Sequence, residues 1–305
     1  MKHLFIINPA AGGVKGRLEE VERGIRAVAE SLDDPFDIYE TKAPMDAVEA
    51  IRKAAESVDM LYVYACGGDG TLNECVNGAA LRPNVALTNY PCGTGNDFLK
   101  TFGKENIQAF LDLRALAGGV VRPLDLIDCG GRYSINICSV GIDARVARDV
   151  HKYSSIPLIG GATGYVVALV VNVIRGVGER FLITTEDGVQ DRKITLACAC
   201  NGQFYGGGFN PIPEAAPDDG SLEFLIVKAV SRLKIAQVVG KYAKGQYSDF
   251  PELIDRSSGS FMEFRSEREF CINVDGETIK AKAIYFKLIP KGINFIFPAG
   301  IEIAR

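Results

Sequence analysis

Two glycine-rich stretches hold the residue types that could handle phosphate. The first, "LYVYACGGDGTLNE" from Leu61 to Glu74, ends an apolar run in Gly67-Gly68-Asp69-Gly70-Thr71. The second, "PCGTGNDF" from Pro91 to Phe98, follows another apolar run. Glycine turns after strands let bare backbone N–H groups approach an anion. Neither stretch has the dinucleotide or P-loop spacing, and no Lys or Arg lies between Lys53 and Arg82. Asp69 would repel a bare phosphate, but it suits one accompanied by Mg²⁺. A carboxylate can hold the metal, directly or through water, while N–H groups hold the phosphates. The plainer reading is a tight strand-to-helix turn needing positive φ, capped by Asp69, for the first, and a helix start capped by Asn96 and Asp97 for the second.

Further polar loops invite the same question. "NPAAGG", Asn8 to Gly13, follows the first apolar run, and Thr41 follows the second. Asn-Pro starts turns, and Thr commonly precedes helices, so each alone is weak. In the second half, "APDDGSLEF" places Asp218 and Asp219 together, either as a hairpin turn or as ligands for a divalent cation. "NVDGETI" holds Asp275-Gly276-Glu277, where Glu277 could serve as a general base or simply flank a turn.

The elements that must position these loops read from periodicity. "HLFIIN", "FDIYE", "MLYVYAC" and "VALTNYP" suit strands; "RLEEVERGIRAVAESL", "AVEAIRKAAES" and "TLNECVNGAA" suit helices. Such alternation predicts a parallel sheet covered by helices, with ligands at the carboxyl ends of its strands. After "RPLDLID" the pattern changes to strand-like runs rich in β-branched and aromatic residues, with "SRLKIAQVVGKYAKG" as a helix capped by Ser231. The expected fold class is α/β in two domains. Residues 1–127 form an α/β nucleotide-binding domain. Residues 128–305 form a β-sandwich with helical insertions, with the last residues allowed to return to the first domain.

Composition narrows the function classes. The 305 residues are 47% hydrophobic and 24% charged, as in a globular chain with a sizeable core. A net charge of −4 argues against non-specific nucleic-acid binding. Two histidines, His3 and His151, leave little basis for a His-centred zinc site or a Ser-His-Asp triad. Eight cysteines without a C-x-x-C pair suggest reduced, buried thiols in a cytoplasmic setting, and no signal peptide is visible. Tyr153 to Ile174 carries no charge, but Pro157 and three glycines interrupt it, which disfavours a membrane span. A buried or surface-dipping helix is the expectation there.

Taken together, "NPAAGG", "GGDGTLNE", "CGTGNDF", "PLDLID", "PDDGSL" and "VDGE" resemble the diacylglycerol kinase catalytic-domain superfamily, in order and over essentially the whole chain. The closer resemblance is to its bacterial soluble lipid kinases. "GGDGT" by itself is shared with NAD kinases and phosphofructokinases; the combination is more specific. The resemblance implies an α/β nucleotide domain, a β-sandwich domain and an active site between them. It implies ATP contacts from Asn8, Pro9, Ala10, Ala11, Gly12, Thr41, Gly67, Gly68, Asp69, Gly70, Thr71, Leu72, Asn73 and Thr94. Asp69, Asp97 and Asp125 would form an acidic network around the catalytic Mg²⁺, and Glu277 would take the proton of a lipid hydroxyl. A second, structural Mg²⁺ would sit on Asp219, with backbone carbonyls near Ala216 and Ser221. Lys100 stands where relatives often carry Arg, a point charge in place of a bidentate fork.

The expected activity is ATP-dependent phosphoryl transfer to a lipid hydroxyl, diacylglycerol or a related lipid. An NAD kinase-like or sphingosine-type kinase, and a nucleotide-binding regulatory module without turnover, remain open. The expected partners are ATP, a lipid substrate and the inner face of a membrane, touched peripherally through 153–174 with Arg148, Lys152 and Arg175. The oligomeric state, a homodimer among the options, is not set by the sequence.

Overall fold

A computed structural model describes residues 1–11, 16, 18–93, 95–154 and 161–299. Gly12 and Thr94 therefore lie outside the described residues. Packing divides the chain into two units, Met1–Asp125 with Pro290 onward, and Leu126–Ile289.

The first unit alternates as its periodicity predicts. In order come β1 (Lys2–Ile7), α1 (Leu18–Ala29), β2 (Phe36–Glu40), α2 (Asp46–Ala55), β3 (Leu61–Gly67), α3 (Asp69–Ala79) and β4 (Val85–Pro91). Two 3₁₀ helices, Phe98–Phe102 and Lys104–Leu111, follow, then α4 (Leu113–Ala117) and β5 (Val120–Asp128). The strands pair in the order β2-β1-β3-β4, all parallel. Beyond β4 lies the end of the last strand, β13 (Glu277–Phe297), where Asn294 and Phe295 pair in parallel with Ala86 and Leu87. Thr88 donates to the Ile296 carbonyl at 2.9 Å. Phe98 and Phe102 meet Phe295 and Phe297 edge-on, with centroids 5.6 and 4.9 Å apart. Such pairs add about 0.5–1.5 kcal/mol each beyond burial and tie the segment after the second glycine turn to the sheet.

Parallel register has a direct functional consequence. Ile7 lies opposite both Glu40 and Cys66, and Gly67 opposite Pro91. The loops that follow β1, β2, β3 and β4 thus leave from one edge of the sheet. Open parallel sheets bind ligands at that edge.

The second unit contains β6 (Tyr133–Ser134), β7 (Ile137–Gly141), α5 (Ile142–Ser154), α6 (Gly161–Arg175), β8 (Glu179–Thr185) and β9 (Gly188–Cys200). It continues with β10 (Leu222–Lys228), α7 (Arg232–Tyr242), β11 (Ile254–Gly259), β12 (Phe261–Val274) and the first part of β13. β7 and β8 lie end to end between β9 and β12, and the ladder runs from β11 through β10 and β9 to β12 and β13. The sheet curls, so that Phe224 of β10, Phe181 of β8, and Phe264 and Phe286 of β12 and β13 share one core. Its other face packs against the three helices through Leu196, Cys198 and Leu225. Ser231 caps α7 as expected, accepting from Lys234 N at 3.2 Å. The run "YSINICSVGI", expected as one strand, is broken between β6 and β7 at Ile135-Asn136, where a carboxylate captures the backbone.

Of the uncharged stretch 153–174, residues 155–160 lie outside the described residues; the rest falls at the end of α5 and in α6. Tyr165, Ala168 and Asn172 face inward, while Val166, Val170 and Ile174 stay 56%, 52% and 63% exposed. Four-residue spacing puts those three on one stripe of the helix. Among the described residues, no helix is long and apolar enough to cross a membrane.

Candidate active site

The two glycine turns are built into each other. A Cβ on Gly93 would stand 2.3 Å from Gly68 Cα and 2.5 Å from Gly68 N, so the second turn rests backbone against backbone on the first. Gly93 N donates to the Gly67 carbonyl at 3.1 Å. A Cβ on Gly67 would meet Thr71 Oγ1 at 2.2 Å, so the first helical turn of α3 folds over that residue. Gly67, Gly93 and Gly95 do not adopt left-handed φ, so close approach, not the positive φ considered above, requires glycine at these positions. Asn96, at φ 59, makes the left-handed step of the second turn and donates to the Gly93 carbonyl at 3.0 Å.

Asp69 does not cap α3. Gly68 occupies the N-cap without a side-chain bond, and Asp69 is the first helical residue. Its Oδ1 accepts from Asp97 N at 2.7 Å, and its Oδ2 lies where a Gly95 Cβ would be. The carboxylate therefore clasps the second turn to the first. It also favours the positive end of the α3 dipole. Asp97 precedes the 3₁₀ helix Phe98–Phe102 without a side-chain cap bond, and its carboxylate pairs with Lys100. Lys100, a candidate phosphate contact, is thus engaged with Asp97 in this structure. Asp125, 2% exposed, accepts from Lys291 N at 2.7 Å.

The other predicted nucleotide residues line the same sheet edge. Asn8 closes its own turn, accepting from Ala10 N at 2.9 Å through its side chain and from Ala11 N at 3.1 Å through its carbonyl. Thr41 N donates to the Ile7 carbonyl at 2.9 Å. Asp46 steadies that loop by accepting from Lys42 N at 2.8 Å and from Tyr39 at 3.0 Å. Thr71, Leu72 and Asn73 are buried in α3, while Gly70 in its first turn is exposed.

In the second unit, Glu277 opens β13 as an exposed residue opposite Val274. The turn before it is held firmly. Asp275, at φ 51, accepts from Ile135 N at 3.0 Å, Asn136 N at 3.2 Å, Ile137 N at 3.0 Å and Ser134 Oγ at 2.5 Å. Asn273 accepts from Gly276 N at 2.8 Å. Asp275 is therefore a structural carboxylate, a role the sequence reading did not assign. Gly93, Gly95 and Asn273 were missed as well. The glycine pair in "CGTG" was their visible signal, but its partner in space was not.

An oxygen-only donor set suits Mg²⁺, a hard cation that keeps several of its waters. Among the described residues no three His, Cys, Asp or Glu side chains converge tightly enough to hold an ion directly. The bond from Asp97 N joins Asp69 to Asp97, whereas Asp125 sits with Lys291, next to Gly292, whose carbonyl accepts from Leu81 N before β4 begins. At the other candidate position, Asp219 is exposed and accepts from Ser221 N at 2.9 Å, with Ala216 nearby in sequence and half-buried. Asp219 thus closes its own turn, and no second carboxylate joins it in a metal-binding group among the described residues.

A parallel-sheet α/β domain with two interlocked glycine turns is thus followed by a curled β domain. Residues 2–129 match the diacylglycerol kinase catalytic domain, and residues 136–297 match the YegS C-terminal NAD kinase beta sandwich-like domain. The chain is 30% identical over 268 residues to "Probable lipid kinase YegS-like" of Shewanella frigidimarina, covering 81% of this chain and 84% of that one. Two structures from Bacillus anthracis, provisionally described as diacylglycerol kinases, superpose with TM-scores of 0.76 and 0.73 at 24% and 26% identity. Each covers 99% of this chain and 98% of its own. The chain belongs to the YegS-like lipid kinase family, with a diacylglycerol kinase catalytic domain.

Proposed function

We propose that the protein transfers the γ-phosphoryl group of ATP to the hydroxyl of a lipid, diacylglycerol or a close relative. The observation that carries this reading is the interlock of Gly67-Gly68-Asp69 with Gly93 and Gly95 at the carboxyl edge of the sheet. It presents backbone N–H groups of two turns and the start of α3 in a fixed arrangement. Such a surface binds phosphates by oriented dipoles without a lysine.

Phosphoryl transfer needs positioning and charge neutralisation more than covalent help. The backbone amides of Gly68, Gly70 and Thr71 hold the phosphates, and Asn8 to Ala11 and Thr41 form the walls beside them. Asp69 and Asp97 would hold Mg²⁺, which would supply neutralisation of the phosphate charge. Glu277 orients and deprotonates the acceptor hydroxyl, and Asp275 with Asn273 keeps its turn in place. The exposed stripe of α6, beside Arg148, Lys152 and Arg175, meets an anionic lipid surface.

The test is incubation with a total lipid extract and labelled ATP, followed by mass spectrometry of the products. A phosphorylated neutral lipid is the expected product. Tight ATP binding with no lipid phosphorylated would replace this reading with that of a regulatory module.

A further inference from the structure

Two of the eight cysteines meet inside the core of the second unit. Cys129 lies in the turn between β5 and β6, and Cys138 lies in β7. Their sulfurs are 3.1 Å apart, and both residues are buried. Cys138 is held on both sides, opposite Val274 of β12 and Ala199 of β9. Cys129 sits where the chain can give. Its N–H donates to the Arg132 carbonyl at 2.7 Å, across Gly130 and Gly131. Both glycines are exposed and left-handed, at φ 67 and 89. A Cβ on Gly131 would meet nothing within 4 Å, and one on Gly130 only Ile284 Cδ1 at 3.7 Å, so the turn has open space beside it. A disulfide holds its sulfurs about 2.05 Å apart, so closure asks for roughly 1 Å of movement on the Cys129 side.

This contact differs from the other close pair. Cys198 and Cys200 approach to 3.6 Å, but they are successive same-face residues of β9. Such residues stand about 6.6 Å apart along a strand with parallel side chains, whereas a disulfide brings its Cβ atoms to about 3.8 Å. Cys129 is also ill suited to attack a substrate or to hold a metal as a thiolate. Burial pushes its thiol up, and the Cys138 contact and the nearby carboxylates of Asp275 and Asp128 add to that. Its chemistry is with its neighbour, once the exposed turn opens far enough to admit a small oxidant. We propose that Cys129 and Cys138 are a modification site, converted by a peroxide into an intramolecular disulfide. One sulfur, as thiolate, attacks a peroxide oxygen; the O–O bond breaks, leaving a sulfenic acid and a hydroxide that takes up the thiol proton as water. The second sulfur then attacks the first; the S–S bond forms, the S–O bond breaks, and a second water leaves with the remaining thiol proton. Two thiols and one hydrogen peroxide thus give one disulfide and two waters, and an added thiol reverses the change. The bond fastens the β5–β6 turn to β7 beside Ile137. That residue gives its N–H to Asp275 Oδ1 at 3.0 Å and accepts from Asp275 N at 3.1 Å, so the modified strand is the one that holds the turn before Glu277.

The test treats the folded, reduced chain with hydrogen peroxide, alkylates the remaining thiols in denaturant, and digests with trypsin in the absence of reductant. Arg132 lies between the two cysteines, and Pro123 protects the bond after Arg122, so Cys129 falls in the peptide 115–132 and Cys138 in 133–145. Neither peptide holds another cysteine. Mass spectrometry should find the two joined, lighter by two hydrogens than their sum, and separated by dithiothreitol. Cys138→Ala should abolish the joined species, while Cys271→Ala, outside the pair, should leave it unchanged. The unmodified protein decides the matter even if either variant fails to fold. Recovery of both peptides separately, alkylated or singly oxidised, would overturn the proposal. So would Cys129 joined to a different cysteine, or a Cys129–Cys138 link that forms only after the chain is unfolded. The readout is a mass, so it stands apart from whether the protein phosphorylates a lipid.

Discussion

Replacing Gly93 by alanine probes the contact on which the site is built. The new Cβ would lie 2.3 Å from Gly68 Cα, 2.5 Å from Gly68 N and 3.1 Å from Gly67 C. Carbon atoms at rest sit about 3.5–4.0 Å apart, so the two turns must part by roughly 1 Å. All three atoms are backbone, and no side chain is available to swing aside. Overpacking of this kind costs about 1–3 kcal/mol. The bond from Gly93 N to the Gly67 carbonyl is strained or lost as well, at about 1 kcal/mol. The sum is about 2–4 kcal/mol, read as a lower midpoint in urea with unchanged slope. A misplacement of about 1 Å in a positioning loop costs roughly 100-fold. Lipid phosphorylation should therefore fall about 100-fold in protein that is still folded.

Gly24→Ala supplies the control. Nothing lies within 4 Å of a Cβ there, and the position is inside α1. It should stabilise by about 0.5–1 kcal/mol with the rate unchanged. A Gly93→Ala protein with a stability loss below about 0.5 kcal/mol and a near-normal rate would refute the interlocked-turn argument.

Glu277→Gln should lower kcat well over tenfold in steady-state assays while the urea midpoint stays put, because the side chain is exposed. Asp275→Ala should act the other way: three backbone N–H groups and a hydroxyl lose their acceptor, and unfolding should become easier by about 3 kcal/mol or more. Asp149, buried between α5 and α6, is held well below the usual carboxylate range by Arg148, with Lys152, Asn172 and Arg175 also bonding to it. A depressed folded-state pKa contributes stability that is whole above the unfolded value of about 3.9 and fades as pH falls toward the folded value. Asp149→Asn should thus be less stable than the unmodified protein at pH 7, and the gap in melting temperature should close below about pH 4. Val166→Asp with Val170→Asp should reduce co-sedimentation with anionic liposomes severalfold; equal sedimentation would remove the α6 stripe from membrane contact.

The order of elements in the first unit was legible because parallel strands and amphipathic helices carry strong periodic signals. "HLFIIN" and "MLYVYAC" are short apolar runs, and "AVEAIRKAAES" has a single apolar stripe; β1, β3 and α2 follow from them. The glycine turns were legible as phosphate-type loops. What they do to each other was not, because a backbone-on-backbone contact between Gly68 and Gly93 leaves no trace in either segment alone. Asp275 was hidden for a similar reason. "VDGE" reads as a hairpin turn, and nothing in it indicates that residues 134–137, far earlier in the chain, aim their N–H groups at that carboxylate. The break between β6 and β7 has the same origin, since the "YSINICSVGI" composition favours an unbroken strand. A pocket beneath α6 was hidden too, for its walls come from six separate elements and the loops between them.

Three aspartates, Asp69, Asp125 and Asp275, share a feature that accounts for the charge in the glycine turn. Each commits an oxygen to a backbone N–H well away in sequence: Asp97 N, Lys291 N and the N–H groups of residues 135–137. A carboxylate bonded in this way has its rotamer fixed and its charge held at one place. For Asp275 that bonding is the whole structural role. For Asp69, in the first glycine turn, it also keeps the charge at a fixed place. Preorganised charge of this kind avoids reorganisation at the moment of transfer, which is where electrostatic stabilisation is most effective. Asp69→Asn separates the two contributions, because an amide oxygen can still accept from Asp97 N while the charge is gone. The variant should keep most of its stability yet lose over tenfold in kcat, whereas Asp69→Ala should lose both. Equal stability of all three proteins would mean that the clasp between the turns does not depend on this side chain.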